Sequence, residues 1–237
     1  MKLIPVIDLM NGIVVTAIRG QRHSYLPCST PLCQSSRPDA VISALMSLYP
    51  FDTLYLADLD AIMGRGSNIE EISALSSEYS ETVFWVDNGL NELKQLQSIA
   101  RPVIGTESLD SVEQLSHLVT SLPSPVLSLD FVDNRFKGPA NLLDHPEVWP
   151  DEVIVMSLSH VGSAAGADIS RLQQLNRLLT SHSLYAAGGI RDRQDLQQLN
   201  GLGLAGALLS TSLHQGTIDS QTLDTFTTND LNRSFYR

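Results

Sequence analysis

The chain has 237 residues, a hydrophobic fraction of 43% and a formal net charge of −11, which together suit a single acidic α/β domain with a large core. The charge excludes nucleic acid and an anionic membrane as bulk partners, because most of the surface would repel them, and no stretch approaches the roughly 20 apolar residues that span a bilayer. Two cysteines and six scattered histidines favour a reduced, cytoplasmic protein with no metal or other cofactor.

Short β-rich runs alternate along the chain with longer segments of helical periodicity, a pattern typical of βα units around a parallel sheet. The runs predict strands at 2–8, 53–57, 82–86, 102–104, 125–130, 152–157, 184–187 and 206–210. The intervening segments predict helices at 37–49, 68–79, 90–99, 109–121, 168–181 and 191–200. Eight strands with outer helices predict a (β/α)8 TIM barrel, followed by a short final helix or a loose tail over 217–237.

Two sequence pieces occur twice with one spacing between the copies. Gly66 and Gly89 in the first half correspond to Gly166 and Gly189 in the second, an offset of 100 residues in both cases. The sequence therefore predicts a single domain, residues 1–237, built from two half-barrel repeats at about 1–122 and 123–216.

An apolar strand-like run ends in an aspartate in each half, Asp8 in the first and Asp130 in the second. A barrel of this kind carries its active site at the carboxyl ends of its strands, and its first and fifth strands lie on opposite sides. We therefore expect the two carboxylates to face each other across the mouth. One could remove a proton while the other donates one, provided that their environments separate their pKa values. The alternative is that each aspartate only caps the loop after it.

Glycines and hydroxyl groups follow the seventh and eighth predicted strands. Backbone N–H groups at Gly188 and Gly189, before a helix begins, could hold a phosphate, and Ser210 and Thr211 could add donors beside them. Barrels of this class commonly bind phosphate at this place. The alternative is that the two glycines only form a tight turn.

Motifs spread over residues 1 to about 216 resemble those of the HisA/HisF barrels of histidine biosynthesis. They are Ile4-Pro5-Val6-Ile7-Asp8-Leu9, Leu56-Ala57-Asp58-Leu59-Asp60-Ala61, Val103-Ile104-Gly105-Thr106, Ser128-Leu129-Asp130 and Ala187-Gly188-Gly189-Ile190. The chain is more similar to the HisA type, the phosphoribosylformimino-aminoimidazole-carboxamide ribotide isomerase. The resemblance implies an Amadori rearrangement that opens an aminated ribose phosphate and converts the aldose to a ketose. It also implies that Asp8 is the general base at the sugar carbon and Asp130 the general acid at the ring oxygen.

The sequence departs from the family pattern at three places. Asp87-Asn88-Gly89 replaces a three-glycine turn, which weakens a second phosphate site, and Ser157 replaces a helper threonine after the sixth strand. The segment that begins at Arg19 is also unusual, although Arg19 and Arg22 could close over a bound anion as a lid. Such changes resemble the divergent HisA/HisF-related proteins of methanogens and methylotrophs, a resemblance that implies synthesis of one-carbon carrier cofactors.

Residues after the strands and in the loop after the first strand are the remaining candidates for substrate binding. They are Arg19, Asp58, Asn88, Gly89, Gly105, Thr106, Ser157 and His160. Three functions stay open at this point: a HisA-like sugar-phosphate isomerase, a relative that acts on a different phosphorylated metabolite, for example one with a single phosphate, and a non-catalytic barrel subunit. The expected partner of either enzyme is a small phosphorylated metabolite.

Overall fold

Eight parallel strands form the wall of a closed barrel in this computed structural model, which describes residues 1–133, 135–163 and 165–227. The barrel strands are β1 (Lys2–Met10), β4 (Thr53–Asp58), β5 (Val83–Asp87), β6 (Arg101–Gly105), β7 (Val126–Val132), β9 (Glu152–Ser157), β10 (Ser183–Ala187) and β11 (Gly206–Leu209). The short strands outside this wall are β2 (Ile13–Thr16), β3 (Leu26–Pro27) and β8 (Arg135–Lys137).

The barrel closes where β1 pairs in parallel with β11, with Lys2 opposite Gly206. Around the wall the strands follow the order β1, β4, β5, β6, β7, β9, β10, β11. Strand β7 therefore lies across the barrel from β1, and strands β10 and β11 lie across from β5 and β6. The predicted TIM barrel is confirmed, and all eight predicted strands are present within two residues of their expected bounds.

Helices follow most of the barrel strands, and the longer ones cover the outside of the wall. Their bounds are α1 (Pro38–Leu48), α2 (Leu59–Ile62), α3 (Ile69–Glu78), α4 (Leu93–Leu96), α5 (Val112–Ser121), α6 (Ile169–Leu178), α7 (Arg193–Gly201), α8 (Thr211–His214) and α9 (Ser220–Thr227). None of the helices in the described ranges is long and apolar enough to cross a membrane.

One helix prediction is wrong in its extent. The segment 90–99 contains only the four-residue helix α4, because Leu90 and Glu92 have φ angles of 65° and 47°. A left-handed backbone at two positions interrupts a right-handed helix. At the chain end, helix α9 matches the expected final helix, whereas residues 228–237 of the predicted tail lie outside the described residues.

The apolar side chains form two layers, because successive side chains of a strand point to opposite faces. Leu3, Ile7 and Leu9 of β1 belong to the layer that packs against the helices, whereas Ile4 belongs to the layer inside the barrel. The inner layer receives side chains from all eight barrel strands: Ile4, Tyr55, Ala57, Trp85, Val103, Val126, Ile154, Met156, Tyr185, Ala187 and Leu208.

The amino end of the barrel is filled with large side chains. The rings of Trp85 and Tyr185 pack edge to face with centroids 5.0 Å apart, and the Arg101 guanidinium lies 5.3 Å from the Trp85 ring. Arg101 also pairs with Glu152, which accepts a hydrogen bond of 3.0 Å from the Tyr185 hydroxyl. Any cavity for a ligand must therefore open at the carboxyl end of the strands.

Residues 17–36, here called the strap, lead from β2 to α1 and are tied to the carboxyl end of the barrel. The Arg19 N–H donates to the Val161 carbonyl at 2.8 Å. The Thr30 hydroxyl lies 3.2 Å from His214 Nδ1, and the Leu32 N–H donates to the His214 carbonyl at 3.4 Å. The strap is therefore tied to the segments that follow β9 and β11.

Candidate active site

A cavity opens at the carboxyl ends of the barrel strands, beside the strap. Its volume is about 1220 Å³ when counted out to the open mouth. The polar and aromatic residues of its lining are Asp8, Arg22, Tyr25, Tyr55, Asp87, Glu107, Asp130, Arg191, Ser210, Thr211, Ser212, Gln215 and Thr217. The remaining lining is apolar or glycine, so charged groups in it are poorly solvated.

Asp8 lies on β1, where pairing with Val15 of β2 and Ala57 of β4 fixes its backbone. Its carboxylate is half-buried, lines the cavity and accepts no hydrogen bond from the described residues. Burial raises the pKa of Asp8 to about 7, and the Arg22 guanidinium opposes that rise. A carboxylate with a pKa near neutrality and no donor of its own is suited to accept a proton.

Asp130 lies on β7 and is held by several donors. Its Oδ1 accepts from the Ser128 hydroxyl at 2.7 Å, and its Oδ2 accepts from the Glu107 N–H at 3.2 Å and the Thr106 hydroxyl at 3.3 Å. Burial, followed by the negative charges of Asp87 and Glu107, raises the pKa of Asp130 to about 8. At neutral pH most of this carboxyl group is protonated, as a general acid must be.

The barrel places these two carboxyl groups on opposite walls of the same cavity. Strands β1 and β7 are four positions apart in either direction around the closed sheet. Both Asp8 and Asp130 line the cavity, and nothing in their pairing turns either side chain into the outer core. The geometry meets the requirement for paired acid and base groups, while the catalytic roles stay a prediction.

The wall formed by β5 and β6 carries two further acids, and we call Asp87 and Glu107 the acidic end of the cavity. Asp87, the last residue of β5, is 6% exposed, and its Oδ1 accepts from the Gly89 N–H at 3.0 Å. Burial raises the pKa of Asp87 to about 6. Glu107 forms an ion pair with the Arg22 guanidinium of the strap.

The opposite wall, formed by β10 and β11, carries the predicted phosphate-binding residues, and we call it the phosphate end. Gly188 and Gly189 have φ angles of 98° and 81°. A Cβ atom on Gly188 would lie 2.4 Å from the Ser157 carbonyl oxygen, and one on Gly189 would lie 2.4 Å from the Gly166 carbonyl oxygen. Conformation and space both require glycine here, which leaves bare backbone at the cavity surface.

Hydroxyl groups complete the phosphate end, where Ser210, Thr211 and Ser212 line the cavity. The Ser212 hydroxyl is buried and has no hydrogen-bond partner among the described residues. Arg191 also lines the cavity, but its guanidinium forms two hydrogen bonds with Asp195, at 2.7 and 2.9 Å. The four predicted phosphate-binding residues are therefore assembled on one wall, and phosphate binding itself stays a prediction.

Five predicted substrate-binding residues lie behind the cavity wall. The Asp58 carboxylate accepts from the Asn68 N–H at 2.7 Å, from the Asn68 amide and from the Ala61 N–H, so it organises a loop. Thr106 is fully buried and contacts the cavity only through Asp130. The other three, outside the lining, are Asn88, Gly89 and Gly105.

The remaining three predicted residues line smaller, separate pockets. Ser157 and His160 share one with Arg171, and His160 Nδ1 lies 2.8 Å from the Gly166 carbonyl oxygen, to which it must donate. Arg19 lines another pocket beside Asp133. The structure does not bring these three side chains to the main cavity, and their role in substrate binding stays untested.

Sequence reasoning gave no binding role to Tyr25 and Tyr55 and considered Arg22 only as part of a lid. Strand β4 is buried over its whole length, so its pattern does not reveal that Tyr55 points inward. Arg22 and Tyr25 enter the cavity only because the strap folds over the barrel mouth. Their positions depend on contacts with distant parts of the chain, which no local signal encodes.

Comparisons with known proteins agree with this architecture. Residues 2–219 match the model of the family described as Histidine biosynthesis protein. The chain is 30% identical to an uncharacterized protein of Methanocaldococcus jannaschii, over 92% of this chain and 96% of that protein. It is 24% identical to a phosphoribosyl imidazole-4-carboxamide isomerase of Myxococcus xanthus, over 92% of this chain and 95% of that enzyme. A similarly named isomerase of Cenarchaeum symbiosum is 28% identical, over 92% of this chain and 97% of that enzyme.

The matched residues contain every barrel strand and the whole cavity lining. The relatives also have nearly the same length as this chain, so the likeness concerns the entire domain. The chain therefore belongs to the histidine biosynthesis protein family of HisA/HisF barrels.

Proposed function

We propose that this protein is an acid–base isomerase of a phosphorylated sugar-like metabolite and catalyses an aldose–ketose rearrangement of the Amadori type. The observation that carries this proposal is the presence of two opposed carboxyl groups, Asp8 and Asp130, in one cavity beside the Gly188–Gly189 turn. Isomerases in the same family, named for a phosphoribosyl substrate, supply the reaction type.

In the proposed reaction Asp130 protonates the ring oxygen of an aminated sugar as the ring carbon–oxygen bond breaks, which leaves a protonated imine. Asp8 then removes the proton from the adjacent carbon to give an enol. Asp8 returns this proton to the former imine carbon, and the ionised Asp130 takes the proton of the enol hydroxyl, which gives the ketose and restores both carboxyl groups. Both steps suit the pKa values of about 7 for Asp8 and about 8 for Asp130, because neutral pH leaves the first partly ionised and the second protonated.

The phosphate end would hold the substrate while this chemistry takes place. The backbone at Gly188 and Gly189 and the hydroxyl groups of Ser210 and Thr211 are neutral donors, so they can bind a phosphate without a lysine. Binding energy at a remote phosphate helps to orient the reacting carbon between the two carboxyl groups.

A second candidate differs in the substrate. The acidic end stands where the family resemblance predicts a second phosphate, and its carboxylates would repel one. This observation favours a singly phosphorylated metabolite over the bisphosphate of the histidine pathway. A non-catalytic subunit is less well supported, because it has no use for two poorly solvated acids that face one cavity.

Growth of a histidine auxotroph that lacks the isomerase tests which substrate is used. The wild-type chain is compared with Asp8→Asn and Asp130→Asn, and with Asp52→Asn as a matched control, since Asp52 is an exposed residue before β4, at the opposite end of the barrel. Growth that needs both cavity aspartates but not Asp52 establishes the histidine-pathway reaction. Folded protein without growth directs the search to singly phosphorylated aminated sugars.

A purified-protein assay then tests the reaction class. Singly phosphorylated aminated sugars are incubated with the protein in deuterated water, and NMR monitors the exchange of the proton on the sugar carbon. This exchange reports the first half of an isomerisation even when the product is unknown. Each of the two variants, Asp8→Asn and Asp130→Asn, should lower the exchange rate by about 100-fold or more. Exchange that is unchanged in both variants would exclude the proposed mechanism.

A further inference from the structure

The acidic end of the cavity has more negative charge than the one cation that the described residues place there can balance. The Arg22 guanidinium is paired with Glu107, so it is not free to neutralise a second acid fully. Asp87 is nine-tenths buried, and no described residue donates a hydrogen bond to its Oδ2. This oxygen faces the cavity and is poorly solvated by its apolar surroundings, so a ligand that supplies a donor would gain binding energy there.

The position of this free oxygen is defined by Gly105. A Cβ atom on Gly105 would lie 2.9 Å from Asp87 Oδ2 and 3.4 Å from Asp130 Oδ2, so both oxygens lie close to the Gly105 backbone and therefore close to each other. Asp87 also lines the cavity directly. A single positively charged group in the cavity in front of Gly105 could approach both carboxyl groups.

Aromatic rings lie beside the same acids. Tyr25 and Tyr55 both line the cavity. Burial and then the charge of Asp8 raise the pKa of Tyr25, and burial and then the charges of Asp87 and Asp130 raise that of Tyr55. Rings beside carboxylates favour organic cations, which the ring faces also attract.

We propose that the acidic end binds a positively charged nitrogen group, an ammonium or an amidinium, of a substrate whose single phosphate occupies the phosphate end. The two ends lie on opposite walls, β5 and β6 against β10 and β11, so such a substrate spans the cavity and passes between Asp8 and Asp130. This inference rests on the proposed function for its phosphate end and adds the chemical class of the other end.

Calorimetric titration with three series of alkyl phosphates of increasing length tests the proposal. The far end of the alkyl chain is a methyl group, an ammonium group or a second phosphate. At the length that spans the cavity, the ammonium probe should bind about tenfold or more tightly than the methyl probe, because it forms charge-assisted hydrogen bonds. The bisphosphate should bind more weakly than the methyl probe. Equal binding of the ammonium and methyl probes, or tighter binding of the bisphosphate, would overturn the inference.

Two variants test which carboxyl group causes the preference for the ammonium probe. Asp87→Asn keeps the shape of the side chain and should abolish most of the ammonium preference while leaving the affinity of the methyl probe within about twofold. Asp52→Asn removes one acid at the opposite end of the barrel and should change neither value. The proposal is rejected if the preference survives in Asp87→Asn. The wild-type series tests it even if that variant does not fold.

The same titrations separate this inference from the proposed function and from metal binding. If no phosphate probe binds, the phosphate end fails and both proposals fall; if only the ammonium preference is missing, the inference alone falls. A Mg²⁺ titration that saturates in the wild type but not in Asp87→Asn would assign the acidic end to a metal ion instead. Among the described residues no group of three His, Cys, Asp or Glu is arranged to hold one.

Discussion

Removing the Asp130 carboxyl group should weaken the pH dependence of stability. The folded protein binds the Asp130 proton up to a pKa of about 8, whereas an aspartate in an unfolded chain loses it at about 3.8. Between these values the folded state holds more protons than the unfolded state, so the free energy of unfolding falls as pH rises. The contribution of Asp130 is fully present below about pH 3.8 and is lost as pH passes about 8. Asp130→Asn cannot titrate and removes this part of the decline.

The size of the effect follows from the pKa rise. At about 1.36 kcal/mol per pKa unit, a rise from 3.8 to about 8 corresponds to at most roughly 6 kcal/mol. We expect about 3 kcal/mol between about pH 5 and pH 9, because protonation of Asp87 at the lower pH relaxes part of the repulsion. For a chain of this length that difference is about 6 to 12 °C in Tm.

Urea unfolding followed by circular dichroism at about pH 5, 7 and 9 measures the effect as a change in slope with pH. The slope is informative even though the asparagine amide alters the hydrogen bonds from Ser128 and Glu107 and shifts the absolute stability. Asp52→Asn serves as the control and should keep the wild-type slope. If Asp130→Asn loses as much stability between pH 5 and 9 as the wild type, the assigned protonation state is wrong.

Three further changes address other parts of the cavity. Gly188→Ala should lower Tm by about 6 to 15 °C, because a backbone carbonyl oxygen lies too close to the position of the new Cβ atom. Gly203 also has a positive φ but has open space around it, so the control Gly203→Ala should lower Tm by only about 2 to 4 °C. Equal losses of Tm would contradict the steric clash at Gly188. Ser212→Ala should weaken binding of a methyl-ended alkyl phosphate about three- to tenfold. It should not lower the urea midpoint, because the Ser212 hydroxyl has no hydrogen-bond partner among the described residues. Unchanged binding would exclude Ser212 from the phosphate end. Arg22→Gln should raise the pKa of Asp8, seen as a shift of the lower limb of the pH–rate profile to higher pH, and an unmoved limb would show that Arg22 does not act on Asp8.

Sequence periodicity was enough to predict the barrel, because the local patterns and the overall topology indicate the same fold. Strand-length apolar runs alternate with segments of helical period, and closure of a parallel sheet by right-handed crossovers leaves few alternatives. The one misjudged helix, at 90–99, has suitable apolar spacing but contains two left-handed residues that spacing does not reveal. The division into two half-barrel repeats rests on sequence spacing alone and stays a prediction.

The candidate site was less accessible to sequence reasoning, and its residues show why. Asp8 and Asp130 lie near the carboxyl ends of β1 and β7, and Gly188 and Gly189 follow β10, so strand order alone brings them to the cavity. Asp58 also ends a strand, yet its carboxylate turns to the Asn68 loop instead. Position at a strand end is therefore not a sufficient signal for a cavity residue, and Arg22 and Tyr25 of the strap show that it is not a necessary one.

The amino-acid sequence by itself determined the barrel, its family and the two opposed aspartates, because these depend on the order of strands and on residues at their ends. Only the tertiary structure decided that Arg22 reaches Glu107 from the strap, that Asp87 faces the cavity with a free oxygen, and that His160 lines a separate pocket. The physical reason is that side-chain direction and charge balance in a closed cavity arise from contacts between segments far apart in the chain, which local sequence patterns do not specify.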